Sequence, residues 1–207
     1  MSDQNHPYRR ATFMLSVASL SQLPVDEGAE VAIVGRSNAG KSSAINTITG
    51  INALARTSKT PGRTQQINFF EIADERRLAD LPGYGYAKVP LRTKQKWMKL
   101  IEDYLQRRQS LRGLIIVMDC RRPLQELDCQ LLAWCCAAKM PVHLLLTKAD
   151  KLSRGGAANV LQEVRKEIKE HFNASGELAI SAQLFSSLKK TGIAEAHTCL
   201  DGWLNFR

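Results

Sequence analysis

Gly35-Arg36-Ser37-Asn38-Ala39-Gly40-Lys41-Ser42 follows directly on the apolar run Val31-Ala32-Ile33-Val34. The stretch fits the phosphate-loop pattern G-x-x-x-x-G-K-[ST] at every fixed position. Glycines let the backbone curl so that successive N–H groups point at phosphate oxygens. The residues after Lys41 read as a helix, whose N-terminus adds positive potential. Lys41 then reaches the β- and γ-phosphates, and the Ser42 hydroxyl holds Mg²⁺. The expected ligand class is a nucleoside polyphosphate.

Outward from that loop, strands and helices alternate. Residues 31–34, 66–72, 77–81, 114–118 and 142–146 read as strands, with a last one inside 178–185. Helices are expected over 42–48, 91–108, 127–139, 157–172 and 193–204. In residues 91–108, Trp97, Leu100, Ile101, Tyr104 and Leu105 recur at spacings of three and four, one apolar helix face. Leu114-Ile115-Ile116-Val117-Met118 is a continuous apolar run, the mark of a strand covered on both faces. The predicted fold is α/β: one domain with a mostly parallel sheet of six or more strands and helices on both faces. Residues 1–27 read as an N-terminal extension packing on a domain of residues 28–207; residues 11–17 are either a short strand or an arm.

The chain has 207 residues, enough for one full core, with 44% hydrophobic and 24% charged residues, ordinary for a soluble domain. No apolar stretch is long enough to span a bilayer, and the first seven residues lack an apolar signal core. A cytoplasmic location is expected. Cys120, Cys129, Cys135, Cys136 and Cys199 are odd in number, without C-x-x-C spacing, and read as buried thiols rather than disulfides or a zinc site. The formal net charge of +9 points to a polyanionic partner, nucleic acid or an anionic membrane.

A phosphate loop alone does not separate ATPases, kinases and GTPases. Asp80-Leu81-Pro82-Gly83 lies about forty residues after Lys41, closing a strand. An aspartate there can hold Mg²⁺ through water, and the Gly83 N–H can meet a γ-phosphate. Thr147-Lys148-Ala149-Asp150 follows the strand at 142–146 and looks like a guanine-reading [NT]-K-x-D motif. A carboxylate at Asp150 can accept from guanine N1–H and N2–H₂, a donor pair adenine lacks, which argues against a kinase or ATPase. The Lys148 stem can lie along the flat base. Phe185-Ser186-Ser187 resembles the last guanine-contacting motif and is preferred to Ile180-Ser181-Ala182, because Lys189, Gly192 and Ile193 then fall where the last helix begins. Between these motifs, residues 57–65 form a polar, Pro/Gly-containing loop. Of Thr57, Thr60 and Thr64, Thr64 is chosen as the switch threonine because it stands closest to the strand at 66–72.

With all five elements in order, the chain looks like a translation-factor-type GTPase. More narrowly it resembles the EngB (YihA) family of bacterial GTPases, through GRSNAGKSSAIN (35–46), TSKTPGRTQQINFFE (57–71), DLPGYGYA (80–87), MDCRRP (118–123), TKAD (147–150) and FSSLKKTG (185–192). The resemblance implies GTP binding and hydrolysis to GDP with Mg²⁺. It also implies a role in large ribosomal subunit assembly, with precursors of that subunit and its rRNA as partners, and a requirement in cell division and septation. No membrane partner is expected, and a monomer is. Carried over by position, Gly35, Arg36, Ser37, Asn38, Ala39, Gly40, Lys41, Ser42 and Ser43 bind phosphates. Gly62, Arg63, Thr64, Gln65 and Gln66 flank the γ-phosphate with Asp80, Leu81, Pro82 and Gly83. Thr147, Lys148, Ala149 and Asp150 hold guanine with Phe185, Ser186 and Ser187. Ser42, Thr64 and Asp80 serve Mg²⁺; Lys41, Thr64 and Gly83 serve catalysis.

The position that in such GTPases carries a water-orienting glutamine is Tyr84 here, so slow intrinsic hydrolysis is expected. Arg36 and Arg63 are candidate charge donors, and Asn38 is a candidate K⁺ ligand beside the phosphates. Tyr84, Tyr86, Lys88, Arg92, Lys94 and Lys96 interleave aromatics with bases, which suits RNA contact or, for the tyrosines, packing on the long helix.

Overall fold

Strand β2 (Ala29–Gly35) is buried at every position. Val31 and Ile33 enter one core cluster while Ala32 and Val34 enter another, so the unbroken apolar run is a strand with a core on each face. β5 (Leu111–Asp119) repeats the arrangement, with Ile115 and Val117 on one side and Leu114, Ile116 and Met118 on the other. The computed structural model describes residues 6–56, 66–85, 91–173, 176 and 178–206, without the side chains of 91–98.

Five more strands complete the sheet: β1 (Thr12–Val17), β3 (Ile67–Ala73), β4 (Arg76–Asp80), β6 (Val142–Thr147) and β7 (Ile180–Leu184). Their order is β1-β3-β4-β2-β5-β6-β7. The five from β4 to β7 run parallel, while β3 is antiparallel to β4 and β1 to β3. The helices are α1 (Lys41–Thr49), α2 (Leu91–Arg107), α3 (Glu126–Ala137), α4 (Arg154–Glu167) and α5 (Ile193–Leu204). Core residues of α2, α3 and α4 (Tyr104, Leu132, Val164) cover one face, and those of α1 and α5 (Ile45, Leu200, Leu204) cover the other. The expected α/β layering is the layering observed.

Local features refine the sequence expectations. Residues 12–17 are the strand of the two alternatives, hydrogen-bonded to β3 at the sheet edge. Just before it, the short 3₁₀ turn Pro7–Arg10 buries Tyr8, whose hydroxyl donates to Asp201 at 2.8 Å. The fourth helix starts earlier than 157, because Ser153 caps it by accepting from the Gly156 N–H at 3.1 Å. Its last turn, Ile168–Phe172, widens into a π-helix. Of the five cysteines, Cys120 and Cys135 are buried and the other three half-buried, all as free thiols.

Parallel pairing delivers the C-terminal ends of β4, β2, β5, β6 and β7 to one edge. There Asp80 pairs with Ile33, Val117 with Gly35, and Thr147 with Asp119. The opposite edge is held by charge. Glu30, wholly buried, accepts from Arg108 Nε and Nη2 at 3.1 and 3.0 Å and from the Tyr104 hydroxyl, with Arg77 Nε at 3.4 Å. Burial, then the Glu30 charge, pushes the Tyr104 hydroxyl far up, so it stays a donor. The cluster fastens the end of α2 to the starts of β2 and β4. Glu30→Ala removes the buried carboxylate that Arg77 and Arg108 share and is expected to cost about 3–5 kcal/mol. A fall in the urea midpoint at unchanged m-value reads that loss; a cost below about 1 kcal/mol contradicts the assignment.

Candidate functional site: a glycine-loop cleft beside a buried carboxylate

The loop after β2 turns on two left-handed residues, Asn38 at φ 64° and Gly40 at φ 98°. The second is beyond the comfortable range of any side chain, which is what the pattern's second glycine supplies. Gly40 is also the N-cap of α1 and brings no side-chain cap. The first-turn amides of α1 therefore face the loop with the positive end of the helix dipole behind them. Arg36, Lys41, Ser42, Asn68, Asp80 and Gly83 are among the residues lining a cleft of about 1050 Å³.

The floor of the cleft is an ion pair. Lys41 Nζ lies against Asp80 Oδ1, the two side chains 13% and 8% exposed. Asn68 Nδ2 stands 3.5 Å from the other Asp80 oxygen. Ser42 and Asp80 present hard oxygen donors, which fits Mg²⁺ held by few protein ligands together with phosphates and waters. Among the described residues no group of three His, Cys, Asp or Glu could hold a metal on its own.

Asp80-Leu81-Pro82-Gly83 closes tightly on the phosphate loop. A Cβ at Gly83 would lie 3.3 Å from the Gly35 carbonyl oxygen. Tyr84 N–H donates to that same oxygen at 3.1 Å, and Ser37 N–H donates to the Tyr84 carbonyl at 2.8 Å. The Tyr84 ring turns inward, 4% exposed, and its hydroxyl donates to Asp128 Oδ1 at 2.6 Å. Burial, then the Asp128 charge, raises the Tyr84 hydroxyl far above its ordinary value, so it remains a donor. Tyr84 is therefore not a surface for stacking RNA bases, and the contact its hydroxyl makes is with α3. Asp128 was not singled out in the sequence: it also accepts from Gln125 N–H at 2.9 Å, and an acid in the first turn of a helix is commonplace. Its carboxyl is raised by burial, opposed by the Tyr84 hydrogen bond and by the charge of Arg36.

On the far side of the loop, Thr147 Oγ1 donates to the Ala39 carbonyl and lies 3.0 Å from that of Met118. Lys148, itself left-handed at φ 59°, extends along the loop to the Asn38 carbonyl, 2.7 Å away, and pairs with Asp119 at 3.0 Å. Asp119 is held well below the usual carboxylate range, chiefly by Arg121 at 2.6 Å and further by Lys148.

Asp150 comes next, its side chain 7% exposed. Ser186 Oγ donates to Asp150 Oδ1 at 2.5 Å and accepts from Lys189 N–H at 3.1 Å. Phe185 joins the same corner, donating from its N–H to Leu146 and accepting from Ala149. Ser181 lies within β7, bonded to His143, so of the two candidate spellings Ser186-Ser187 stands beside Asp150. Gln66 is exposed at the cleft wall. Thr57, Thr60, Gly62, Arg63, Thr64, Gln65, Tyr86 and Lys88 lie outside the described residues, as do the side chains of Arg92, Lys94 and Lys96.

Residues 30–148 match the family described as 50S ribosome-binding GTPase. The probable GTP-binding protein EngB of Coxiella burnetii (strain CbuG_Q212) is 52% identical over 196 residues, covering 95% of this chain and 93% of that protein. This chain belongs to the EngB family of GTP-binding proteins. A crystal structure of a probable GTP-binding protein engB superposes with a TM-score of 0.68 at 19% identity, over 86% of this chain and all of that one. The structure of Era in complex with MgGDPNP and nucleotides 1506–1542 of 16S ribosomal RNA superposes at 0.63 and 22% identity, over 86% of this chain and 57% of that one. At those identities the superpositions establish the fold. Membership establishes a P-loop GTPase, which binds guanine nucleotide and hydrolyses GTP, with Mg²⁺ typical of the class. No helix among the described residues is long and apolar enough to cross a membrane.

In this EngB-family GTPase the position after D-x-P-G is structural. Tyr84→Phe leaves Asp128 with an unanswered oxygen and is expected to cost about 1–3 kcal/mol of stability. Single-turnover GTP hydrolysis should stay within about threefold of wild type, whereas loss of a true water-positioning group costs on the order of 10² or more. Rapid-quench assays with a melting curve on the same protein check both halves.

Proposed function

We propose that this GTPase is a slow, nucleotide-dependent switch acting in large ribosomal subunit assembly in the cytoplasm, and that normal cell division and septation depend on it through that role. The observation that carries the slow-switch reading is the inward Tyr84. The residue next to the γ-phosphate site is committed to Asp128, so turnover waits on something brought from outside. Support for the ribosomal target comes from the family description and from the net charge of +9, which suits an RNA polyanion.

The residue roles follow from the cleft. Lys41 exchanges Asp80 for the β- and γ-phosphate oxygens, so binding swaps one ion pair for another instead of baring a buried ammonium. The loop amides and the N-terminus of α1 hold the remaining phosphate charge. Ser42 and Asp80, with Thr64, hold Mg²⁺, which when bound neutralises charge developing between the phosphates. The Gly83 N–H meets the γ-phosphate. Asp150 accepts from guanine N1–H and N2–H₂ while Ser186 braces it, and the Lys148 stem lies along the base. Asn38, exposed on the loop, is placed to hold K⁺ beside the phosphates, where a cation does the work of an arginine finger.

Two measurements test this reading. In co-sedimentation with large-subunit precursors, protein loaded with a non-hydrolysable GTP analogue should associate about tenfold more than protein loaded with GDP. Equal association of both forms, or none, overturns the ribosomal role and favours a GTP-dependent scaffold in division. Hydrolysis should run about tenfold faster in KCl than in NaCl at matched ionic strength, measured with and without ribosomal particles. Equal rates in the two salts remove K⁺ from the site.

A further inference from the structure

Behind the base-reading corner, on the α5 side of the sheet, lies a polar chain centred on His143 and Gln183, two residues outside every motif. His143, in register with Ser181, is 5% exposed, and Gln183 is 4% exposed. Ser181 Oγ stands 2.7 Å from His143 Nδ1, and His143 Nε2 stands 2.8 Å from Gln183 Oε1. The Gln183 amide nitrogen faces three oxygens: the Gly192 carbonyl at 2.7 Å, the Leu184 carbonyl at 3.3 Å and Glu195 Oε2 at 3.3 Å. An amide nitrogen only donates, so those acceptors fix which end of Gln183 meets His143. His143 Nε2 therefore carries the hydrogen, its Nδ1 accepts from Ser181, and donation runs one way: Ser181 to His143 to Gln183 to Gly192. Burial lowers the imidazole's proton affinity and keeps it in the neutral form this chain needs.

The end point is the exit of the loop that braces Asp150. Ser186 and Thr191 close that loop with two backbone hydrogen bonds, 3.1 and 3.2 Å. Gly192 follows at φ 80°, and a Cβ there would fall 2.7 Å from Gln183 Nε2 and 2.3 Å from the Leu184 carbonyl oxygen. The loop exit is thus seated directly on the Gln183 amide. Its entrance is Ser186, whose hydroxyl holds Asp150.

We propose that Gln183, oriented by His143, is a positioning residue for guanine selection. It pins the Gly192 end of the 186–192 loop so that Ser186 keeps the Asp150 carboxylate in line with both guanine donors. The proposal rests on Asp150 being the base reader. Bidentate reading tolerates little rotation, and Gln183 sets the angle without touching the nucleotide.

The test compares GDP with IDP, whose base lacks the 2-amino group, in competition against a fluorescent GDP analogue on the full chain. Gln183→Glu keeps the oxygen that faces His143 and turns the donor into a second oxygen against Gly192 and Glu195. Gln183→Met removes the donor with similar bulk and decides the matter if Gln183→Glu does not fold. The wild-type preference for GDP should shrink about tenfold or more in these variants, with GDP affinity falling and IDP affinity nearly unmoved. Asp150→Asn should erase the preference. If Asp150→Asn erases it while both Gln183 variants keep the ratio within about twofold of wild type, the positioning role is overturned and base reading by Asp150 stands. If Asp150→Asn leaves the preference intact, base reading and the positioning role fall together. A lower melting temperature at an unchanged GDP/IDP ratio counts as fold support alone and also overturns the proposal.

Discussion

The hydrogen bond from the Thr147 hydroxyl to the Ala39 carbonyl is the seam on which the site depends. It ties the end of β6 to the phosphate loop, and Lys148 doubles it by reaching the Asn38 carbonyl. Without the seam, the glycine-containing loop after β2 and the loop carrying Asp150 after β6 would be separate, with β5 between them. With it, the two loops are fixed relative to one another before a ligand arrives. Such preorganisation reduces the ordering that binding must otherwise bring about. Thr147 is the residue for this task because a short β-branched hydroxyl, stiff about χ1, can reach two carbonyls from a buried strand end.

Two ion pairs sit at opposite ends of the same strands, and their chemistry divides stability from function. Glu30 is answered by Tyr104 of α2, Arg108 just beyond it and Arg77 of β4, and Arg108 also donates to the Pro24 carbonyl in the segment before β2. A pair so fully solvated by protein has no cheaper arrangement to move to, so it holds the base of the sheet. Lys41–Asp80 has the opposite character. It lines an open cleft and is joined there by Asn68, 3.5 Å from the second Asp80 oxygen, so it is far less enclosed by protein than Glu30.

The legible parts of the fold were those in which the chain's own pattern records its surroundings. β2 and β5 announced two-sided burial by unbroken apolar runs, and α5 runs from 193 to 204 as expected. β1 was ambiguous because an edge strand with four exposed positions out of six carries little alternation. The phosphate loop, D-x-P-G and TKAD were legible because each packs its chemistry into a few consecutive residues. Contacts made across the chain had no such signal. Tyr84 meets Asp128 44 residues away, and Arg108 meets Glu30 78 away. Tyr84 could be recognised in the sequence as unsuited to orient water, but not as a buried strut. Gln183 and His143 carry no sequence signal of their own, since only the register of β7 beside β6 brings them together.

That strut gives the missing glutamine a structural meaning. One residue joins three elements: its N–H and carbonyl stitch it to Gly35 and Ser37 in the phosphate loop, and its hydroxyl stitches it to Asp128 at the start of α3. A residue held at both backbone and side chain cannot also swing a polar group toward an attacking water. What it can do is carry displacement. If a γ-phosphate pulls Gly83 toward itself, Tyr84 must follow, and the buried Asp128 carboxylate must either move with it or lose its donor. Losing a hydrogen bond to a buried charged acceptor costs more than losing one between neutral groups, so this contact holds the start of α3 firmly to the loop beside Gly83. Tyr84 thus offers no side chain able to orient water and, through its hydroxyl, joins the loop after D-x-P-G to a helix on the outside of the sheet.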